Sequence, residues 1–564
     1  MDRLDDVAIA GAYLEGAIPY PPEVIAEYRR QGWWYDESYV DLFRRAVQVD
    51  PEREGLVDDH RRLRWRDVEE EVARLACALR SRGVGRHDRI LLQLSTRSEY
   101  PIAFHAAQHL GAVPVVAIPR VGLSELRPLL ELTEPSAWVF ARRDGSRDLG
   151  EVAEALRGEG LLPPLAIAVA EPGDEPAGTL RMAELIAAED PARSLETLRS
   201  LPAPDPNDVA AIYLTGGATG RSKAVPRTHN SFIGNMRVLH QHGSSQDVPL
   251  ICTPVGHGMA NQGALGGWIL HGSRLVMVAS PRAERLVGVA ARERVTSMSL
   301  VPTLLADLLD VPDLDRYDLS SVRRVIASGG FLTADLARRA HEFCERRGIW
   351  FGGSAYGCTE GPAIGHAPDE SVDQILHTLG RPAFPGHEWR VLDPVDEELP
   401  AGEVGQLAVR GPSVFTGYYR APEDNRDIFT ASGLYKTGDL GFIDGDGFVH
   451  LTGRLKDVIQ RGGEAVVPTE VEELVLTHPD VARVAVVAMP DRRLGERACA
   501  YVVLRPGTEL TLEALVAHLR AQGAGPLQLP ERLEVIDEIP ETPAAKIDRV
   551  RLRADIAQKV AAES

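Results

Sequence analysis

The sequence predicts an α/β protein. A mostly parallel sheet assembly with helices on its faces is followed by a strand-rich, barrel-like unit and a small α+β domain at the C-terminus. Three observations predict this. Apolar runs of strand length alternate with runs of helical period over much of residues 66–330. Between residues 385 and 450 that alternation gives way to short strand runs separated by Gly, Pro and Asp turns. After residue 457 a helix and strand pattern restarts with its own apolar set.

The elements follow in chain order. Val68, Val72, Leu75, Cys77 and Leu79 carry a helical pattern across residues 66–90. RILLQLS reads as a buried strand, IAFHAAQHLGA as a helix and PVVAIP as the next strand. The same sequence of elements recurs as LICTPV (strand), GALGGWILHGS (helix) and RLVMVAS (strand), then SMSLVP and VRRVIASGG. HEWRVLD, GQLAVRG and GFVHLTG are the strands of the barrel-like unit. In the C-terminal part, TEVEELVLTHPDV is a helix with Thr469 as its expected N-cap and Glu472 completing a capping box. ARVAVVAMP and RACAYVVLRP are strands, and LTLEALVAHLRAQG is an amphipathic helix ended by Gly523.

Composition narrows the function. A chain of 564 residues exceeds one core and suggests three or four packing units. Hydrophobic residues at 44% and charged residues at 26% are ordinary for a globular protein. The net charge of −20 repels nucleic acid and anionic membrane, so neither is an expected partner. An anionic substrate therefore needs a locally basic site. The cysteines Cys77, Cys252, Cys344, Cys358 and Cys499 form no C-x-x-C pair, which argues against a disulfide framework or structural zinc and fits a cytoplasmic location. The opening MDRLDDVAIAGAYLEG lacks the apolar core of a signal peptide, and no run of about 18 apolar residues is present to span a membrane.

The stretch YLTGGATGRSKAVPRTH, residues 213–229, is the first chemical signal. It is no Walker A loop, because its glycines do not fit G-x-x-x-x-G-K-[ST] and Pro226 would break a helix opening at Lys223. It reads instead as a loop between two extended segments, with Asn230 capping a helix that carries Phe232, Ile233, Met236 and Leu239. Gly216, Gly217 and Gly220 let backbone N–H groups approach an anion. Thr215, Thr219 and Ser222 add hydroxyl donors, and Lys223 adds charge.

Four further motifs follow: YGCTEG (356–361), LYKTGDL (434–440), GRLKDVIQRGGEAV (453–466) and AAKIDR (544–549). With TGGATGRSK they resemble, in order, the core motifs of the adenylate-forming superfamily over almost the whole chain. The opening PYPPEVIAEYRRQGWWYDESYVDLFRRA, with HGSRLVMVASP and VPTLLA, is most similar to the stand-alone aryl-acid–AMP ligases that activate dihydroxybenzoate or salicylate. The resemblance implies an N-terminal domain, residues 1–452, of two αβ-layered sheets plus a distorted β-barrel. It also implies a hinge at 453–457 and a mobile C-terminal domain at 458–564. The implied reaction joins a carboxylate to the α-phosphorus of ATP with release of pyrophosphate. A thiol then displaces AMP.

The resemblance also implies roles. The glycine-rich turn holds the β- and γ-phosphates, Thr359 meets the α-phosphate and Glu360 places Mg²⁺. Gly329 and Gly330 leave room for adenine, Tyr356 stacks on it, Asp439 accepts both ribose hydroxyls and Arg454 supports ribose or phosphate. Lys546 bridges the substrate carboxylate and the phosphate in the first half-reaction. Asp457 is the expected hinge residue, with Lys456 second, and Arg461, Gly462, Gly463 and Glu464 form the loop for the thiol step.

The acid pocket departs from the family. Aryl-acid ligases carry an HNY-like stretch whose asparagine is associated with the 2-hydroxyl of the ring. This chain has PVGHGMANQ, which keeps His257 as a catalytic and pocket candidate but follows it with Gly258 and Met259. Gly263, Phe331, Ala355 and Ala363 complete the expected pocket, with Phe331 standing where a small residue is usual. The missing polar hook points to a differently substituted ring, such as the amino-hydroxybenzoate 3-hydroxyanthranilate or a heteroaryl or bicyclic acid. The alternatives are plain salicylate or 2,3-dihydroxybenzoate in siderophore synthesis, another acyl-CoA ligase, or a non-catalytic nucleotide-binding homologue. No G-G-x-S-like carrier site is present, so the acceptor thiol is expected on a separate carrier protein or on CoA. A monomer or homodimer serving secondary metabolism fits these expectations.

Overall fold

The computed structural model describes residues 13–215, 223–256, 258–279, 282–330, 332–542 and 547–563. Two compact units emerge. The first comprises residues up to Leu376 together with Gly380–Glu388 and Arg410–Ile428. The second comprises His377–Leu379, Trp389–Val409 and the chain from Phe429 onward.

The first unit contains two large sheets. One has the strand order Lys223–Thr228, Val209–Thr215, Val113–Val116, Arg89–Gln93, Ala137–Ala141, Leu165–Val169, Leu180–Arg181. Its neighbours are parallel except for the hairpin Val209–Thr215/Lys223–Thr228. Strands covered on both faces need apolar residues throughout, and Ala137–Ala141 (AWVFA) is buried at every position. The helix Trp65–Arg80 buries Val68, Val72, Leu75, Ala76 and Leu79, with Cys77 of the expected pattern only partly buried, and packs against the helices Glu99–His109, Met182–Ala188 and Pro191–Ser200. Its Trp65 stacks on Trp268 at 4.7 Å.

The second sheet runs Arg381–Pro382, Ala363–Gly365, Trp350–Gly357, Arg324–Ser328, Ser297–Leu300, Pro249–Ile251, Leu275–Met277, Glu54–Val57, Arg62–Arg64. It is parallel from Trp350–Gly357 to Glu54–Val57 and antiparallel at both ends. Open parallel sheets bind ligands beyond the carboxyl ends of their strands. Gly329, Gly330 and the 356–361 loop follow such ends.

In the second unit, the barrel-like segment is a four-stranded sheet of Glu388–Leu392, Gly405–Arg410, Tyr435–Ile443 and Val449–Arg454, antiparallel across the last three strands. The C-terminal part is built on the long hairpin Val481–Asp491/Gly495–Leu504. Val484, Val486 and Ala488 face one apolar cluster with Leu515 and Leu519, whereas Ala485, Val487 and Met489 face another with Leu552 and Ile556. The strand period of two thus feeds a helix-covered core on each face.

Two expected caps differ. The helix His229–Leu239 is capped by Thr228, whose side chain accepts from Ser231 N, and Asn230 lies inside its first turn. Asn230 instead bonds Asp36 and Asn207. The helix Pro468–Leu476 begins one residue before Thr469, without a side-chain cap. Thr469 Oγ1 donates to Thr452 O, and Glu472 is buried, accepting from Val486 N at 2.7 Å and from Arg549. Tertiary partners took both side chains of the expected capping box.

Candidate active site

The hairpin sets Thr215 opposite Lys223, so the glycine-rich turn connects two extended strands as the sequence predicts. Gly216, Gly217, Thr219, Gly220 and Ser222 lie outside the described residues, as do His257, Phe331 and Lys546. The side chain of Met259 also lies outside the description.

Lys223 leads into the 356–361 loop through Tyr418. Its Nζ lies 2.9 Å from Asp424 Oδ1 and 4.6 Å from the centre of the Tyr418 ring. Tyr418 Oη donates to Glu360 Oε1 at 2.8 Å, and Glu360 is only 7% exposed. The other carboxylate oxygen of Glu360 has no protein partner among the described residues.

The loop around Glu360 is held at three consecutive carbonyls. Thr359 O accepts from Arg227 Nη1 at 2.9 Å, Glu360 O from Phe415 N at 2.8 Å and Gly361 O from Ser413 Oγ at 3.0 Å. Gly361 has φ +133°, and a Cβ there would lie 1.7 Å from Ser413 O, so only glycine permits this approach. Ser413 Oγ spends its hydrogen on Gly361, so the His387 nitrogen 2.7 Å away, Nε2, is the donor. Burial, with the Arg227 charge second, pushes the His387 imidazole down to about 3. Burial also lowers the Arg227 guanidinium, which is 1% exposed.

The adenine and pocket candidates sit on neighbouring strands. Ser328 pairs with Ala355, Tyr356 with Ile364, and Gly357 with Ala363. Tyr356 is half-buried and Ala363 buried. Gly329 has φ +84°, which suits glycine, and a Cβ at Gly330 would meet Pro302 Cδ at 3.3 Å. Gly258 opens the short helix Gly258–Gln262, and a Cβ there would meet nothing within 4 Å. Gly263 joins it to the helix Ala264–His271.

In the second unit, Asp439 and Arg454 are register partners, with Arg454 Nε 3.1 Å from Asp439 Oδ1. Asp439 is 6% exposed, a buried carboxylate held by a cation. Leu455–Asp457 is one turn of 3₁₀ helix. Arg553 donates to Lys456 O at 3.2 Å and to Asp457 Oδ1 at 3.3 Å. Arg461 and Glu464 close a hairpin over Gly462 and Gly463, at φ +62° and +93°. Two successive positive φ values define the type I′ turn that glycines favour. Arg461 also pairs with Glu531 at 2.9 Å.

The structure thus joins Lys223, Thr359 and Glu360 in one network, and gathers Gly329, Gly330, Ala355, Tyr356 and Ala363 at adjoining strand ends. Sequence reasoning missed Arg227, Tyr418, Ser413 and His387. A charged residue in the buried run AVPRT was the available signal for Arg227.

Residues 43–419 match the family of AMP-binding enzymes, and residues 470–546 match the C-terminal domain of AMP-binding enzymes. A salicylyl-CoA synthase / salicylate adenylyltransferase of Streptomyces sp. is 36% identical over 550 residues, covering 96% of this chain and 97% of that one. A 2,3-dihydroxybenzoate-AMP ligase of Bacillus subtilis is 32% identical over 563 residues, covering 97% and 99%. The apo structure of MbtA from Mycobacterium smegmatis is 30% identical, with TM-score 0.70, covering 96% and 98%.

Proposed function

The chain belongs to the AMP-binding enzymes, the adenylate-forming ligases that its motifs resemble, and from that premise we propose that it activates an aromatic carboxylic acid as its adenylate and passes the aryl group to a thiol. A carboxylate oxygen of the acid attacks the α-phosphorus of ATP, the bond to the β-phosphate bridge breaks and pyrophosphate leaves. A thiolate then attacks the aryl carbonyl, and AMP leaves with the oxygen that joined it to the carbonyl. The observation that carries this reading is the Lys223–Tyr418–Glu360 network, which links the glycine-rich hairpin to a buried carboxylate.

Each residue has a task. The turn at 216–222 and Lys223 cradle the outgoing phosphates, and Thr359 meets the α-phosphate. Asp439, steadied by Arg454, accepts from the ribose. Lys546 approaches the reacting carboxylate, and residues 453–457 act as the hinge between domains 1–452 and 458–564. The hairpin Arg461–Glu464 serves the thiol step. Glu360 fits Mg²⁺, because this ion usually takes one or two carboxylates with the substrate's phosphates completing its shell. Among the described residues no cluster of three or more His, Cys, Asp or Glu forms a resident cage. Bound there, the ion would offset negative charge on the phosphates.

For the acid, we favour an amino-hydroxybenzoate such as 3-hydroxyanthranilate. Its support is Gly258, which offers open space where aryl-acid ligases carry a hydrogen-bonding asparagine. The names of the relatives favour a second reading, salicylate or 2,3-dihydroxybenzoate. The acceptor is a carrier-protein pantetheine or CoA. Acid-dependent ATP–pyrophosphate exchange across a panel of aryl acids tests both readings. The expected outcome is exchange with ring-bearing acids, strongest for the amino-hydroxybenzoate. A preference for 2,3-dihydroxybenzoate or salicylate would overturn the first choice. ATP binding without exchange for any acid would favour a non-catalytic homologue.

A further inference from the structure

Arg227 is a costly residue with no role in the reading above. It lies four residues after Lys223 on the strand Lys223–Thr228 and is 1% exposed. A guanidinium stays charged in a protein, and a buried charge is normally matched by an ion of opposite sign. Among the described residues Arg227 has no carboxylate partner. It donates to three main-chain carbonyls: Thr359 O at 2.9 Å, Ser413 O at 2.9 Å and Ser231 O at 3.4 Å. Its guanidinium carbon lies 5.1 Å from the centre of the Phe232 ring. If stability alone were served, an apolar residue would fill this space at lower cost.

The contacts converge on the Glu360 loop. Arg227 ties Thr359 O directly. Through Ser413 O it also ties the segment whose Ser413 Oγ and Phe415 N hold Gly361 O and Glu360 O. The same segment supplies Tyr418, which fixes one oxygen of the Glu360 carboxylate and leaves the other without a protein partner among the described residues. All three carbonyls of residues 359–361 are thereby held, and with one carboxylate oxygen of Glu360 fixed by Tyr418 the framework sets the direction of the other.

We propose that Arg227 and Tyr418 are positioning residues that hold Glu360 in the orientation from which it grips a divalent cation brought in with the triphosphate. This rests on the adenylation reading for the ligand, but not on the identity of the acid. Supporting groups behind a metal-binding residue typically change metal affinity or activity by about 10–100-fold. Tyr418→Phe keeps the ring and its contact with Lys223, and removes only the hydroxyl. Arg227→Met keeps the length of the side chain and removes the donors, while Arg227→Lys restores one charge without the fork.

The test is Mn²⁺ binding to the full-length protein with ATP, followed by the electron paramagnetic resonance signal of free Mn²⁺, with melting temperatures measured in parallel. Tyr418→Phe and Arg227→Met should each weaken Mn²⁺ binding about tenfold or more, with Arg227→Lys between Arg227→Met and the unaltered protein. The metal concentration for half-maximal exchange should rise in step, with KM for the acid within about twofold. If Mn²⁺ binding by the folded variants stays within about twofold while only their melting temperatures fall, the role is structural and the proposal is overturned. If the unaltered protein exchanges no aryl acid, yet Tyr418→Phe and Arg227→Met weaken Mn²⁺ binding with ATP, the acid reading fails and the positioning role stands.

Discussion

Lowering the pH from 7.5 to 5 should unfold the larger unit, and four histidines set the scale. Burial pushes the imidazoles of His109 and His240 down to about 4, and those of His229 and His387 down to about 3, from an ordinary 6.5. Burial outweighs the carbonyl bonds of His109 and His240, and His229 is bonded in a way that needs a neutral ring. His229 Nδ1 accepts from Tyr39 N at 3.2 Å. Among the described residues His109 Nε2 and His387 Nδ1 are buried without a protein partner, so a second proton there would find no acceptor among them. The folded values lie below the unfolded one, so the unfolded chain takes up protons first. Stability from this source is intact above about pH 6.5 and is lost as the pH falls toward the folded values. At pH 5 each histidine costs about 2 kcal/mol, from 1.5 pH units at about 1.4 kcal/mol each, and four together cost about 8 kcal/mol. Domains typically hold only about 5–15 kcal/mol in total. Burial raises the Glu71 carboxyl, which acts with opposite sign, but it is one group against four. Urea titrations at pH 7.5, 6.5, 5.5 and 5, followed by fluorescence of buried Trp65, Trp138 and Trp268, measure the loss. A total loss below about 2 kcal/mol would refute the reasoning, because that is the share of a single histidine. His387→Gln should recover about 2 kcal/mol of the pH-dependent part.

Two further outcomes concern catalysis. Lys546→Ala should slow adenylation by about 10²–10³, roughly 3–4 kcal/mol, while thioester formation from supplied aryl-adenylate suffers much less; single-turnover assays of each half-reaction would show equal damage if the role is wrong. Asp457→Pro should impair thioester formation more than pyrophosphate exchange, since proline stiffens the turn where Arg553 holds Lys456 and Asp457, and equal loss in both assays would remove Asp457 as the hinge.

Element type was legible wherever apolar period and length agreed. AWVFA is a buried strand because parallel sheets cover both faces, and Val68, Val72, Leu75 and Leu79 make a helix face because nothing competes for them. The caps were less legible. Thr228, Asn230 and Ser231 all have capping side chains, and only the Asp36 and Asn207 contacts explain why Asn230 is not the cap. Thr469 and Glu472 have the spacing of a capping box, but burial of Glu472 against Val486 N and Arg549 outweighs a surface cap. In the site, YGCTEG pointed to Thr359 and Glu360 because the motif is local in sequence, and the structure places both in the loop held by Arg227, Phe415 and Ser413. Arg227 stayed hidden because its partners Thr359 and Ser413 are 132 and 186 residues away, and no short pattern encodes such a contact.

Lys223 raises a last physical question, since it is paired with Asp424 at 2.9 Å. An internal carboxylate that held this lysine firmly would contradict a phosphate role. The pair is weak, because its side chains are 27% and 47% exposed, and exposed ion pairs are worth about 0–1 kcal/mol. A phosphate oxygen offers more charge and a shorter, charge-assisted bond, so the triphosphate should displace Asp424 at little cost. The ring of Tyr418 beneath Lys223 keeps the ammonium in place during the exchange. In a chain of net charge −20, Asp424 matches the Lys223 cation, and on the proposed phosphate role Lys223 would supply local attraction for the incoming anion.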